Sequence, residues 1–191
     1  LAVTLAVAAF LIGPVVLSIL AGLTRNYFVG FSSGFTLRWI EQVWELYSDT
    51  IWRSFAVALL TLLVCVLVGV PAAWVLTLHR GRAARALEEL LTLPVAVPGL
   101  ASALALIISW GTVSGLRGSM WFIVIGHVLF TLPFMVRSVQ PVLAELDRDV
   151  EEAAASLGAT RATTFRRVVL PALAPAITAG AALSFARAIS E

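Results

Sequence analysis

Residues 54–78 read SFAVALLTLLVCVLVGVPAAWVLTL, 25 positions without an Asp, Glu, Lys or Arg. At about 1.5 Å per residue, a helix of that length exceeds the roughly 30 Å hydrocarbon core of a bilayer. Working outward, Leu1–Thr24 holds 24 uncharged residues and Leu90–Leu116 holds 27. Gly118–Val136 holds 19, with His127 its titratable group, and Ala172–Ala186 holds 15 before Arg187 and Glu191. We therefore expect an all-α polytopic membrane protein forming a single transmembrane domain over 1–191. Its spans are placed near 1–24, 54–78, 90–116, 118–136 and 172–191.

Composition agrees. Of 191 residues, 60% are hydrophobic and 13% charged, against about 25% charged in soluble domains; mean hydropathy is +0.99. An ordinary cytosolic enzyme, a disordered tail and a nucleic-acid binder are excluded. All 13 basic residues are Arg and balance 11 acidic ones to a net charge of +2, so there is no basic patch. The single cysteine, Cys65, sits in an apolar run and reads as a small buried thiol. A signal peptide is the competing reading of residues 1–24, but the apolar stretch is too long for an h-region and no basic segment precedes it. The chain begins at Leu1, not Met, so residues upstream are expected, and the last run looks like a span cut short.

A cytoplasmic N-terminus puts Arg80, Arg82, Arg85, Arg137, Arg148, Arg161, Arg166 and Arg167 on inner loops and Arg25, Arg38, Arg53 and Arg117 on outer ones, the sense that arginine bias favours. Trp52, Trp110 and Trp121 then fall at outer ends of spans and Trp74 near an inner end, as an aromatic belt or as packing between helices. Between the first two spans, 36–51 reads as an amphipathic helix on the outer interface. Leu37, Ile40, Val43, Trp44, Tyr47 and Ile51 form one face, and Thr36 is a candidate cap. It is a connector or a docking element.

Pro94, Pro98 and Gly99 interrupt the third span. Prolines remove backbone donors, and in lipid the freed carbonyls need neighbouring helices or a watered cavity. Broken helices line transport pathways, although prolines are also common in membrane helices.

The stretch 141–171 differs in kind. Pro141 suits continuation of span four into the cytoplasm, and Asp149 with Glu152 has capping-box spacing. A short helix, Val150–Leu157, should follow, stopped by Gly158. Thr160 can cap a second helix, Arg161–Val169, and Pro171 should start the next span. The product is helix, glycine turn, helix, held between two membrane helices.

This segment reads Glu152-Ala153-Ala154, three residues, Gly158, nine residues, Val168, one residue, Leu170-Pro171. It resembles the EAA motif of permease subunits of binding-protein-dependent ABC importers, with Val168 where the pattern has Ile. The flanks, from Leu132 to Pro141 and from Ser184 to Arg187, are similar to permeases of sulfate, molybdate and phosphonate importers and, more loosely, of iron(III) and polyamine ones.

The resemblance implies a type I ABC importer permease fold in a bacterial inner membrane, with at least one C-terminal helix missing here. The implied cargo is a small oxyanion or organophosphonate delivered by an extracytoplasmic binding protein. The implied partners are cytoplasmic ATPase subunits and a second permease, identical or related. Glu152, Ala153, Ala154, Gly158, Arg161, Leu170 and Pro171 would form the coupling helix and loop that dock on the ATPase. Arg166 and Arg167 would add rim contacts or only hold the loop at the membrane surface. No cofactor is expected in this chain, since it has no lysine and no phosphate loop, and ATP would sit on the partner.

Pro94, Pro98, Gly99 and Arg187 are candidates for the translocation path. Arg187 lies about 22 Å into its span, where a cation suits an oxyanion; an ion pair with Glu191, one turn on, is the alternative. His127 has no ligand partners at metal spacing and reads as a polar contact between helices. Catalysis by His127, Ser109 or Cys65 in an intramembrane enzyme has no pair at catalytic spacing to support it, and a membrane scaffold is the remaining class.

Overall fold

The computed structural model describes residues 1–79, 81–146 and 153–190. Among them there is no strand; an isolated antiparallel bridge joins Thr24 to Phe35. Helices α1 (Ala2–Gly22), α2 (Arg38–Leu78), α3 (Arg82–Ala96), α4 (Gly99–Trp110), α5 (Met120–Glu145) and α6 (Leu170–Ser190) follow in order. Among the described residues four helices are long and apolar enough to cross a membrane, and the bent pair α3–α4 makes a fifth if it counts as one span. Apolar sequence folds this way because a helix satisfies its backbone polar groups within one segment, which lipid demands.

The chain divides into two compact units, Leu1–Trp52 and Arg53–Glu191, the division falling inside α2. In the first, α1 is apolar all round and has no buried residue. The connection to α2 folds on itself: the Arg25 amide donates to Gly34 O at 3.0 Å and the Thr36 amide to Leu23 O at 2.8 Å. Trp39 Nε1–H donates to Thr24 O at 2.9 Å. Thr36 Oγ1 accepts the Arg38 amide at 3.2 Å, as a cap does.

Three expected boundaries differ. The amphipathic helix at 36–51 and the span at 54–78 are one 41-residue helix, about 60 Å long. No Gly or Pro stands between them, so nothing removes a donor from the ladder, and the Trp44 and Trp52 rings lie edge to face across the join at 6.4 Å. Span 90–116 is two helices, α3 and α4, bent by 109°. The break falls at Val97–Pro98: Val97 is extended (φ −92°, ψ 137°), as a residue before proline prefers, whereas Pro94 lies inside α3. Thirdly, Pro171 starts no new span. The turn Arg161–Thr164 passes through a π turn, Phe165–Val169, directly into α6, with the Leu170 amide reaching back to Phe165 O.

The second unit packs α2, α5 and the π turn with α6 around Cys65, Val70, Ala73, Met135, Val139, Val169 and Leu173. Small residues set the approach. A Cβ on Gly69 of α2 would stand 2.8 Å from Met135 Cγ, and one on Gly180 of α6 would stand 3.0 Å from Met135 Sδ and 3.1 Å from Ser138 Cβ. Glycine at a crossing lets helices close on one another where no hydrophobic effect drives them together. The Trp74 and Phe165 rings meet at 4.5 Å, tilted by 48°, seating the π turn on α2.

Candidate functional site

Two places gather the residues singled out in the sequence. The first is the loop between α5 and α6. Asp149 and Glu152, and with them the capping box, lie outside the described residues, as do Arg80, Arg148 and Glu191. Ala153 and Ala154 lie on the helical turn 153–156. Gly158 has φ +80°, its amide donates to Ala155 O at 2.9 Å, and the Ala159 amide donates to Ala154 O at 3.0 Å. That pair of bonds is a Schellman stop, and the left-handed residue it needs is the glycine.

Two residues on, Thr160 Oγ1 accepts the Thr163 amide at 3.3 Å, and Thr160 O accepts the Thr164 amide at 2.9 Å. Helix, stop, cap and helix thus occupy residues 153–164, with the first helix's C-terminus and the second helix's N-terminus hydrogen-bonded. Arg161 opens the second helix, and Leu170 and Pro171 are the first residues of α6.

Leu157, just before the stop, is 89% exposed. It is a functional candidate that the motif positions did not include; the signal was a large apolar residue at a helix C-terminus immediately ahead of the glycine. Arg166 and Arg167 are exposed and line a shallow cleft with Ala162 and Thr163.

The second place is a cavity of about 250 Å³ between α4, α5 and α6. Gly99, Ser102, Leu106 and Ile107 line it from one face of α4, His127 and Thr131 from α5, and Arg187 from α6. Gly99 and Arg187 are therefore brought together; Pro98 stands at the bend just before Gly99 and Pro94 one turn earlier in α3, and neither is among the lining residues. Gly126 receives Leu106, whose Cδ2 lies 3.5 Å from where a Cβ would be, so α4 sits close on α5.

Beside the cavity runs a polar chain that sequence reasoning missed. Thr131 Oγ1–H donates to His127 O at 2.7 Å, so Cys65 Sγ, 3.1 Å away, must donate to Thr131 Oγ1. Ser184 Oγ–H donates to Thr131 O at 3.5 Å. Thr131 thereby ties α2, α5 and α6 together, and Cys65 has the structural role expected of it. His127 Nδ1 lies 2.8 Å from Ile123 O. Among the described residues no group of three or more His, Cys, Asp or Glu could hold a metal ion.

Comparison with known proteins adds to this geometry. The family described as "Binding-protein-dependent transport system inner membrane component" matches residues 66–191. The chain belongs to that family. Its members are inner-membrane components, and the apolar helices and the family together give an ABC permease of the type I fold.

Among relatives, the chain is 43% identical over 135 residues to the sulfate transport system permease protein CysT of Salmonella typhimurium (64% of this chain, 48% of the relative). It is 38% identical over 167 residues to CysT of Escherichia coli (78% and 60%). To the molybdenum transport system permease protein ModB of Mycobacterium bovis it is 35% identical over 150 residues (72% and 56%). The chain spans about half to three fifths of the length of the relatives it matches.

Proposed function

We propose that this chain is the pore-forming part of an ATP-driven importer for a small oxyanion, with sulfate and molybdate the leading cargoes. Arg187 in the cavity between α4, α5 and α6 supports an anionic cargo, because a cation there offsets the cost of taking an anion out of water. The broken pair α3–α4 meets this cavity through Gly99, and it serves as one wall of the translocation path, with Pro94 and Pro98 shaping the break.

The observation that carries the reading is the short, capped lever at 153–164. Its glycine stop is fully hydrogen-bonded, and its tip presents Leu157. A rigid element with an apolar tip suits a groove on another protein. Docking there on a separate cytoplasmic ATPase, which holds and hydrolyses ATP, makes this chain a transport subunit and not an enzyme. Ala153 and Ala154, with Glu152 beside them, complete the docking face; Gly158 and Arg161 set its exit; Leu170 and Pro171 hand its movement to α6. A second permease closes the pore, and a binding protein outside delivers the cargo.

The test is a cysteine cross-link from Ala154→Cys in native membranes. Capture of the ATPase subunit in a nucleotide-sensitive manner supports docking; capture of nothing that hydrolyses ATP overturns it.

A further inference from the structure

We infer that Arg166 and Arg167 hold the phosphate of an anionic phospholipid, so that a lipid headgroup seats the start of α6 at the membrane surface. The argument begins with the backbone. Both arginines lie inside the wide turn Phe165–Val169. An α-helix turns successive side chains apart by roughly 100°. A turn closed by i→i+5 bonds carries more residues per revolution, so that angle is smaller. Two consecutive guanidinium groups therefore share one cleft of about 290 Å³, with Ala162 and Thr163 one turn earlier.

Charge is the second strand. No carboxylate is among the residues lining the cleft. Among the described residues neither arginine has a hydrogen bond or an ion pair. The Thr163 hydroxyl lies 2.9 Å from that of Thr160; accepting from Thr160, it has its own hydrogen to give. The donors are thus two planar forks and a hydroxyl, a set that fits the oxygens of a phosphate diester. A lipid of net negative charge suits it better than a zwitterionic one, whose cationic end would find two arginines and no carboxylate.

Depth is the third strand. The ring of Phe165, next to the arginines in sequence, meets the ring of Trp74 at 4.5 Å. Trp74 stands four residues before Leu78, the last of the uncharged run on α2, about 6 Å along the helix. Arginines at that level reach out of apolar surroundings to the phosphates of the leaflet. Beside them on α6, Leu170, Pro171, Ala174 and Pro175 are exposed and uncharged. A charged protein rim would pair with the arginines but has no use for that apolar strip; a phospholipid matches both, its headgroup in the cleft and an acyl chain along the helix.

The experiment uses the full-length permease in an uncharged detergent. Its thermal midpoint is measured with added phosphatidylglycerol, with phosphatidylcholine and with inorganic phosphate at equal concentration. Co-purification of the ATPase subunit is recorded alongside. We expect phosphatidylglycerol to raise the midpoint by about 2–4 °C more than phosphatidylcholine does, and inorganic phosphate to leave it unchanged. R166Q/R167Q should lose the difference, and R166K/R167K should keep part of it, because an ammonium retains the charge without the fork. A162D, at an exposed position that keeps both arginines, should lose it as well by placing a carboxylate in the cleft. ATPase co-purification should stay within twofold in all three.

An undiminished response to phosphatidylglycerol in A162D or in R166Q/R167Q overturns the inference. An equal response to inorganic phosphate overturns it in favour of a free-anion site. Loss of the ATPase with the lipid response intact overturns it in favour of a protein rim.

Discussion

Gly69 and Met135 face each other with no room for a methyl group: a Cβ on the glycine would stand 2.8 Å from Met135 Cγ and 3.1 Å from its Cβ. Those atoms are near the backbone and cannot swing aside, so α2 and α5 would have to part. Gly69→Ala should lower stability by about 1–3 kcal/mol, read as a fall in the thermal midpoint of the detergent-solubilised protein. Met135→Ala in the same chain should restore part of it. Gly180→Ala meets Ser138 Cβ at 3.1 Å as well as Met135 Sδ at 3.0 Å, so it too should lose stability, but by less, because its tightest contact is longer and falls on the more mobile sulfur. Equal effects at the two glycines would remove the distinction between Met135 Cγ and Sδ.

Thr131 and Thr61 are both fully buried and should respond oppositely to valine. Thr131→Val removes the acceptor of Cys65 and the donor to His127 O, costing about 1 kcal/mol, within the range for polar links between membrane helices. Thr61 Oγ1 has no hydrogen-bond partner among the described residues. Replacing an unsatisfied hydroxyl with a methyl of the same shape should leave stability unchanged or raise it by about 1 kcal/mol. Thermal unfolding of both variants checks the pair, and a loss at Thr61→Val would mean that its hydroxyl is satisfied.

Gly158 is the opposite of Gly69: a Cβ there would meet nothing within 4 Å, but φ is +80°. The cost of substitution is conformational alone. Gly158→Asn, a residue that tolerates the left-handed region, should keep most transport, whereas Gly158→Val should lose at least tenfold. Uptake by the two variants at equal membrane abundance measures this, and equal activity would mean that the stop is dispensable.

Leu157 is 89% exposed, so Leu157→Asp removes nothing from the interior and should leave the thermal midpoint within about 1 °C, as surface changes usually do. Co-purification of the ATPase with the permease should nevertheless fall by tenfold or more. Undiminished co-purification would show that the tip is not where the partner sits.

Much of the helical layout was legible because lipid reduces the problem to counting uncharged residues, and because capping chemistry is local. Thr36, Thr160 and Gly158 each do what their neighbours in sequence indicate. Pro98 broke its helix for the steric reason written into any residue–proline pair. Pro94, of the same type four residues earlier, did not, and that distinction depends on how α3 packs. The continuity of α2 was obscured because a polar-faced helix and an apolar one look like two objects although no residue between them interrupts the backbone. Placing His127 and Arg187 on one cavity required the α5–α6 register, which is set by Gly180 against Met135 and by Ser184 against Thr131, residues far apart in sequence. Leu157 was passed over because a large apolar residue just ahead of the stop glycine stands out only once its exposure is known.

The wide turn at Phe165–Val169 has a bearing on how such a chain can change over time. A turn closed by i→i+5 bonds stores one residue more than a regular helix needs, while the segments on either side keep their facing. Deleting a single residue between Phe165 and Val169 would tighten the coil to ordinary pitch and leave Val169, Leu173 and Arg187 on their present sides. The join is therefore a length buffer: a residue lost there shortens the connection to the loop at 153–164 without re-aiming the side chains that α6 presents.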